Sequence, residues 1–132
     1  LKTVRNLYAL PVMQPESEEW YAQSLPAFLA HYDYVAIEAM PFMEKAEKPI
    51  AWLQELAQKV GQQHQGLEKM VFELQTVDWN TQKPIPMETF KQQISLLRKA
   101  GARHVGYYPD NVFADQPALS TLNQVFAVEV KP

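Results

Sequence analysis

The chain has 132 residues, 47% hydrophobic and 20% charged, which suits one ordinary folded domain with its own core and excludes a disordered segment. The 15 acids and 12 bases give a net charge of -3, and the lysines and arginines are scattered, which argues against a nucleic-acid partner. Cysteine is absent, so disulfides and thiol catalysis are excluded, and no apolar run approaches the roughly 20 residues of a membrane span.

Residues 5–10 predict a first strand, followed by a turn at Pro15 and a helix that Ser17 can cap. Tyr21, Leu25, Phe28, Leu29 and Tyr32 recur at helical spacing, with a kink or break expected at Pro26. Residues 34–40 predict the second strand, with Val35, Ile37 and Ala39 on one face and Ala36, Glu38 and Met40 on the other. Ile50, Leu53, Leu56, Ala57 and Val60 form the next helix stripe, which Gly61 ends; residues 62–66 read as a loop. Residues 69–75 predict the third strand, with Phe72 and Leu74 opposite Val71, Glu73 and Gln75. A polar loop over 80–86 leads to a helix marked by Phe90, Ile94, Leu97 and Ala100 and closed by Gly101. Residues 103–108 predict the fourth strand. A short helix around 117–124 and an apolar tail over 125–130 complete the pattern.

The order is an α/β fold of four consecutive βα units with parallel strands. Such units fit an open parallel sheet or half of a (β/α) barrel. The half barrel is favoured because Glu38, Glu73 and Gln75 lie near strand ends on the face opposite the helices, where a barrel rim tolerates polar groups. No Gly-rich dinucleotide or triphosphate loop is present. The three histidines, His31, His64 and His104, lack metal spacing. The chain opens at Leu1 in mid-pattern and reads as a piece of a longer protein, so the lack of a signal peptide carries no information about location.

Each strand ends in aromatic, proline and acid or amide residues, on the edge where parallel α/β folds place ligands. Flat rings beside carboxylates suit a polyhydroxylated ligand. Trp79, between Asp78 and Asn80, offers a face for a pyranose ring or packs on a neighbouring loop. Trp20 either lines the groove or staples its helix, and Trp52 reads as packing. Tyr107 and Tyr108 alternate in direction, so at most one faces the groove directly, and Asp110 and Asn111 also fit an Asx turn. Phe42 is an apolar platform, Glu44 a loop acid, and Glu73 a carboxylate that needs a donor from protein or ligand.

The stretches Asn6 to Trp20, Ala39 to Glu44, Glu73 to Gln75 with Trp79, and Gly106 to Asn111 carry a resemblance over essentially the whole chain. It resembles the carboxyl-terminal region of the bacterial poly-β-1,6-N-acetyl-D-glucosamine deacetylases of the PgaB/HmsF type. The resemblance implies residues 1–132 as one unit, the C-terminal half of a TIM-like glycoside-hydrolase barrel. The deacetylase domain and the first half of the barrel would lie upstream, with the catalytic acids in the latter. It implies carbohydrate-binding roles for Trp79, Glu73, Gln75, Tyr107, Tyr108, Asp110, Phe42, Glu44 and Trp20. It further implies a polysaccharide ligand, a periplasmic, outer-membrane-associated parent, an export porin as partner, and no cofactor here, a divalent metal belonging only to the deacetylase domain. Two unpaired sheet edges would leave the piece marginal unless it dimerises or borrows strands.

Overall fold

The computed structural model describes residues 1–127. Strand β1 (Val4–Leu7) leads through the short helices α1 (Leu10–Met13) and α2 (Glu18–Tyr21) to α3 (Leu25–His31) and β2 (Tyr34–Glu38). Helix α4 (Pro49–Gly61) and the single turn α5 (Gly66–Lys69) precede β3 (Met70–Gln75). A two-stranded ribbon, β4 (Val77–Asp78) with β5 (Lys83–Pro84), then gives way to α6 (Met87–Lys99), β6 (His104–Tyr108) and α7 (Leu119–Phe126).

The main sheet has the order β1-β2-β3-β6, parallel throughout. Strand order therefore follows chain order without reversal. A doubly wound sheet reverses at a switch point, whereas a barrel wall runs on in one direction. Leu7, Val35, Ile37, Phe72 and Leu74 turn to one face and share a single core with Leu53 and Leu56 of α4, Phe90, Ile94 and Leu97 of α6, and Leu122 of α7. The helices thus cover one face, and the other is left to Asn6, Glu38, Glu73 and Tyr108. This is a (β/α) arc of the TIM-barrel type.

The helix limits follow from local chemistry. Pro49 opens α4, where its missing N–H costs nothing, and Leu53, Leu56, Ala57 and Val60 give the spacing of one buried stripe. Gly101, at φ +96°, ends α6: its N–H donates to the Arg98 carbonyl and that of Ala102 to the Leu97 carbonyl.

Several local expectations need correction. The first strand stops at Leu7, and Leu10 begins α1 with Pro11 in its first turn. The break between helices falls at Ala22, whose left-handed φ of +51° ends α2, while Pro26 sits in the permitted first turn of α3. The Ser17 side chain makes no capping hydrogen bond, and its hydroxyl is buried without a partner among the described residues. Gly66 leaves the expected loop to start α5. The 80–86 loop contributes β5, because Ile85 N–H donates to the Thr76 carbonyl and folds the segment back on β4. Residues 128–130 of the expected apolar tail lie outside the described residues.

Candidate functional site

Four strand ends meet in one cavity of about 310 Å³, lined by Asn6, Glu38, Met40, Met43, Glu73, Trp79, Tyr107 and Tyr108. A shallower hollow of about 210 Å³ against β1 shares Asn6 and Glu38 with it and adds Arg5, Leu7, Tyr8 and Gln23. The two make a groove that runs across the carboxyl ends of the strands. A larger hollow of about 490 Å³ lies on the outside of α4 and α6, with Gln54 and Lys99 in its wall but neither an aromatic ring nor a carboxylate. The chemistry is therefore at the strand ends.

Glu38 and Glu73 are register partners on β2 and β3 and point to the same side. On its other side Glu73 faces Gly106, which offers no side chain. Burial holds the Glu38 carboxyl above the usual range, and the neighbouring carboxylates of Glu73 and then Glu44 raise it further. Burial alone raises Glu73 and Glu44. The ion pairs of the described residues join Lys2 to Asp33, Lys59 to Glu55 and Arg103 to Glu68, so none of these three acids is held in one, although Arg5 shares the adjoining hollow with Glu38. Such a cluster attracts a cationic group placed among its members.

Trp79 stands in the turn between β4 and β5. That turn is set by Asp78, whose carboxylate accepts from Asn80 N–H at 2.9 Å and from the Thr81 hydroxyl at 3.1 Å, which hold its pKa down. The indole lies 6.3 Å from the Tyr108 ring at a tilt of 46°. Two aromatic faces thus flank the carboxylates. Tyr107 also belongs to the cavity wall although its ring packs on Phe90 and Phe126 from the helix layer. Its hydroxyl is raised by burial and then by the Asp110 carboxylate.

The cavity brings together four of the expected residues: Trp79, Glu73, Tyr107 and Tyr108. Glu44 lies beside it and acts electrostatically on Glu38. Phe42 is half-buried beyond the lining, and Asp110 is an exposed neighbour of Tyr107. Gln75 is corrected outright. It is 0% exposed, and its amide accepts from Phe42 and Met43 N–H and donates to the Val77 carbonyl, so it has no surface for a ligand. Trp20 is 89% exposed and outside the cavity wall. Asn6, Glu38, Met40 and Met43 were not singled out as site residues from sequence. For Glu38, its shared alternation with Glu73 was the available signal.

A family model described as hypothetical glycosyl hydrolase family 13 (GHL13) matches residues 1–108. The chain belongs to this family. Two relatives, the poly-beta-1,6-N-acetyl-D-glucosamine N-deacetylases of Escherichia coli strains K12 and O157:H7, are each 37% identical over 137 residues. The match takes in 100% of this chain and 20% of each relative, so the chain spans about a fifth of their length. The solved PgaB (BpsB) glycoside hydrolase domain from Bordetella bronchiseptica superposes with a TM-score of 0.89 at 44% identity, covering 100% of this chain and 36% of that one. In this GHL13 chain, the carboxylates and rings therefore occupy a fold shared with a glycoside hydrolase domain. Among the described residues, no group of three His, Asp or Glu is placed to hold a metal ion.

Proposed function

We propose that this chain is the C-terminal half of a glycoside-hydrolase-like barrel and supplies one wall of a groove for partly deacetylated poly-β-1,6-N-acetyl-D-glucosamine. The observation that carries this reading is the pairing of Glu38 and Glu73 beneath Trp79 and Tyr108 in one cavity. Pyranose rings stack their C–H faces on indole and phenol rings, and a deacetylated glucosamine presents an ammonium that the acids attract. Fully acetylated units lack that cation and should bind more weakly. The parent protein would act in exopolysaccharide modification and export, in the periplasm at the outer membrane, beside an export porin. This region needs no cofactor; a divalent metal would serve only a separate deacetylase domain. The edges of β1 and β6, outermost among the described residues, would be closed by upstream strands or by a second copy.

Hydrolysis of the polymer belongs to the whole parent protein, and the piece alone would hold polymer without cutting it. Glycoside hydrolysis needs two carboxyl groups flanking the scissile bond, whereas Glu38 and Glu73 arise from neighbouring strands of one wall. The same observation favours a second reading, a non-catalytic platform that presents polymer to the deacetylase domain or the pore.

The test incubates the intact parent and a version truncated before Leu1 with partly deacetylated polymer, scoring bound polymer and shortened oligosaccharides. Cutting by the intact protein alone supports hydrolysis completed by this wall. Binding without cutting supports the platform. Equal affinity for acetylated and deacetylated polymer removes the role given to the carboxylates.

A further inference from the structure

We infer that Gln75 and Asn80 are positioning residues that lock the Trp79 ribbon to the tip of β2, so that the groove rim moves as one body; this rests on the glycan-binding reading above. The Gln75 amide sits at the end of β3, where its Oε1 accepts from Phe42 N–H at 3.0 Å and Met43 N–H at 2.9 Å. Its Nε2 donates to the Val77 carbonyl at 2.9 Å, at the start of the ribbon. From the far side, Asn80 Nδ2 donates to the Phe42 carbonyl at 3.1 Å.

Phe42 is thus gripped at both its N–H and its C=O by residues of the segment that carries Trp79. Only a side-chain amide fills the Gln75 position, since it accepts two N–H groups and donates one. A glutamate there keeps the acceptor and loses the donor. Thr76 extends the lock to the loop after β6: its N–H donates to the Tyr108 carbonyl at 2.9 Å and its hydroxyl to the Pro109 carbonyl. Met43 from the β2 tip, Trp79 from the ribbon and Tyr108 from β6 all line the cavity, and this network fixes their spacing before a ligand arrives. A rim ordered in advance leaves less conformational entropy to lose on binding.

The test uses the full-length parent protein, with Gln75→Glu and Asn80→Ala each made alone and combined with Trp79→Ala. Titration calorimetry with partly deacetylated β-1,6-glucosamine oligosaccharides should show each clamp variant weakened roughly fivefold. With Trp79 already removed, the same changes should cost less than about twofold, because the clamp acts through that ring. In a third variant, Gln75→Ala, which removes the acceptor shared by both N–H groups, amide exchange at Phe42 and Met43 should accelerate independently of ligand. Asn80 is exposed, so its variant keeps the test decisive if Gln75→Glu fails to fold. Equal losses with and without Trp79, or unchanged exchange at Phe42 and Met43, would overturn the inference. If the unmodified protein binds no oligosaccharide, the glycan reading falls and amide exchange alone decides the clamp.

Discussion

Glu38 and Glu73 stand side by side on adjacent parallel strands, directed to the same face and with no ion pair to either among the described residues. Adjacent strands are about 4.8 Å apart, so two like charges are kept within a distance that the fold does not relieve. A sheet optimised for stability alone would place apolar or opposite-charge partners there. Under the proposed glycan reading, an ammonium of the sugar placed between the two carboxylates accounts for the arrangement.

Replacing either acid by its amide should therefore separate stability from binding. Glu38→Gln and Glu73→Gln remove a half-buried charge and its repulsion, so the thermal midpoint at neutral pH should rise or hold. Affinity for a glucosamine oligosaccharide should fall, since a carboxylate about 4 Å from an ammonium contributes roughly 1–4 kcal/mol. Thermal melts and calorimetric titrations of the same samples check both. A drop in both together would mark these acids as structural.

The dependence on pH has opposite signs for stability and for binding. Glu38, Glu44 and Glu73 have folded pKa values raised above the ordinary 4.5, so the folded state binds their protons more tightly than the unfolded one. Their contribution to stability is full below that ordinary value and is lost as pH rises through the raised folded values. Binding of a cationic sugar needs the ionised forms, so affinity should increase with pH over the same window. Asp33 and Asp78, lowered chiefly by backbone N–H donors from Thr3 and Asn80, work the other way: their contribution is present above 3.8 and lost as pH falls through their folded values. Titrations with oligosaccharide from weakly acidic to neutral pH should show affinity rising, and a shallower profile in the Glu38→Gln, Glu73→Gln double variant, where only Glu44 remains to titrate.

Trp79→Ala should weaken oligosaccharide binding by about 1–2 kcal/mol, roughly five- to thirtyfold, with little change in melting. The ring is only half-buried and lies in the turn of a surface ribbon, so core packing hardly depends on it. Trp79→Phe should recover part of the affinity through its remaining ring face. Calorimetric titration and thermal melts of both variants check this.

The strands and long helices were legible because their side chains obey a single period. Phe72 and Leu74 against Val71 and Glu73 gave β3 its faces, and Leu53, Leu56, Ala57 and Val60 gave α4 its stripe. The rim was less legible, because its residues are positioned by contacts between segments distant in sequence. Gln75 reads from alternation as a ligand contact, yet the backbone of Phe42 and Met43, over thirty positions away, claims its amide. The ribbon escaped notice for a similar reason: Lys83 and Pro84 have no strand propensity, and only the return of the chain past Thr76 pairs them. Trp20 was readable either as groove lining or as a staple, and the residue is 89% exposed.

Gly66 supplies a prediction about folding that is independent of the ligand. A Cβ added there would lie 2.0 Å from the Val60 carbonyl oxygen and 3.0 Å from its carbon, both backbone atoms near the end of α4. Neither can rotate aside as a side chain would. Gly66 N–H also donates to the Gln63 carbonyl at 3.0 Å, which closes the turn between α4 and α5 and delivers the chain to Met70 at the start of β3. Gly66→Ala must push α5 away from α4, and the strain should cost about 1–3 kcal/mol. By contrast, a Cβ at Gly61 would meet only Leu67 side-chain atoms at 3.4 Å or more, so Gly61→Ala should be near neutral or slightly stabilising within the helix. Denaturant unfolding of the two variants in the full-length protein distinguishes them. Equal midpoints would show that the α4–α5 junction yields more easily than its backbone contacts imply.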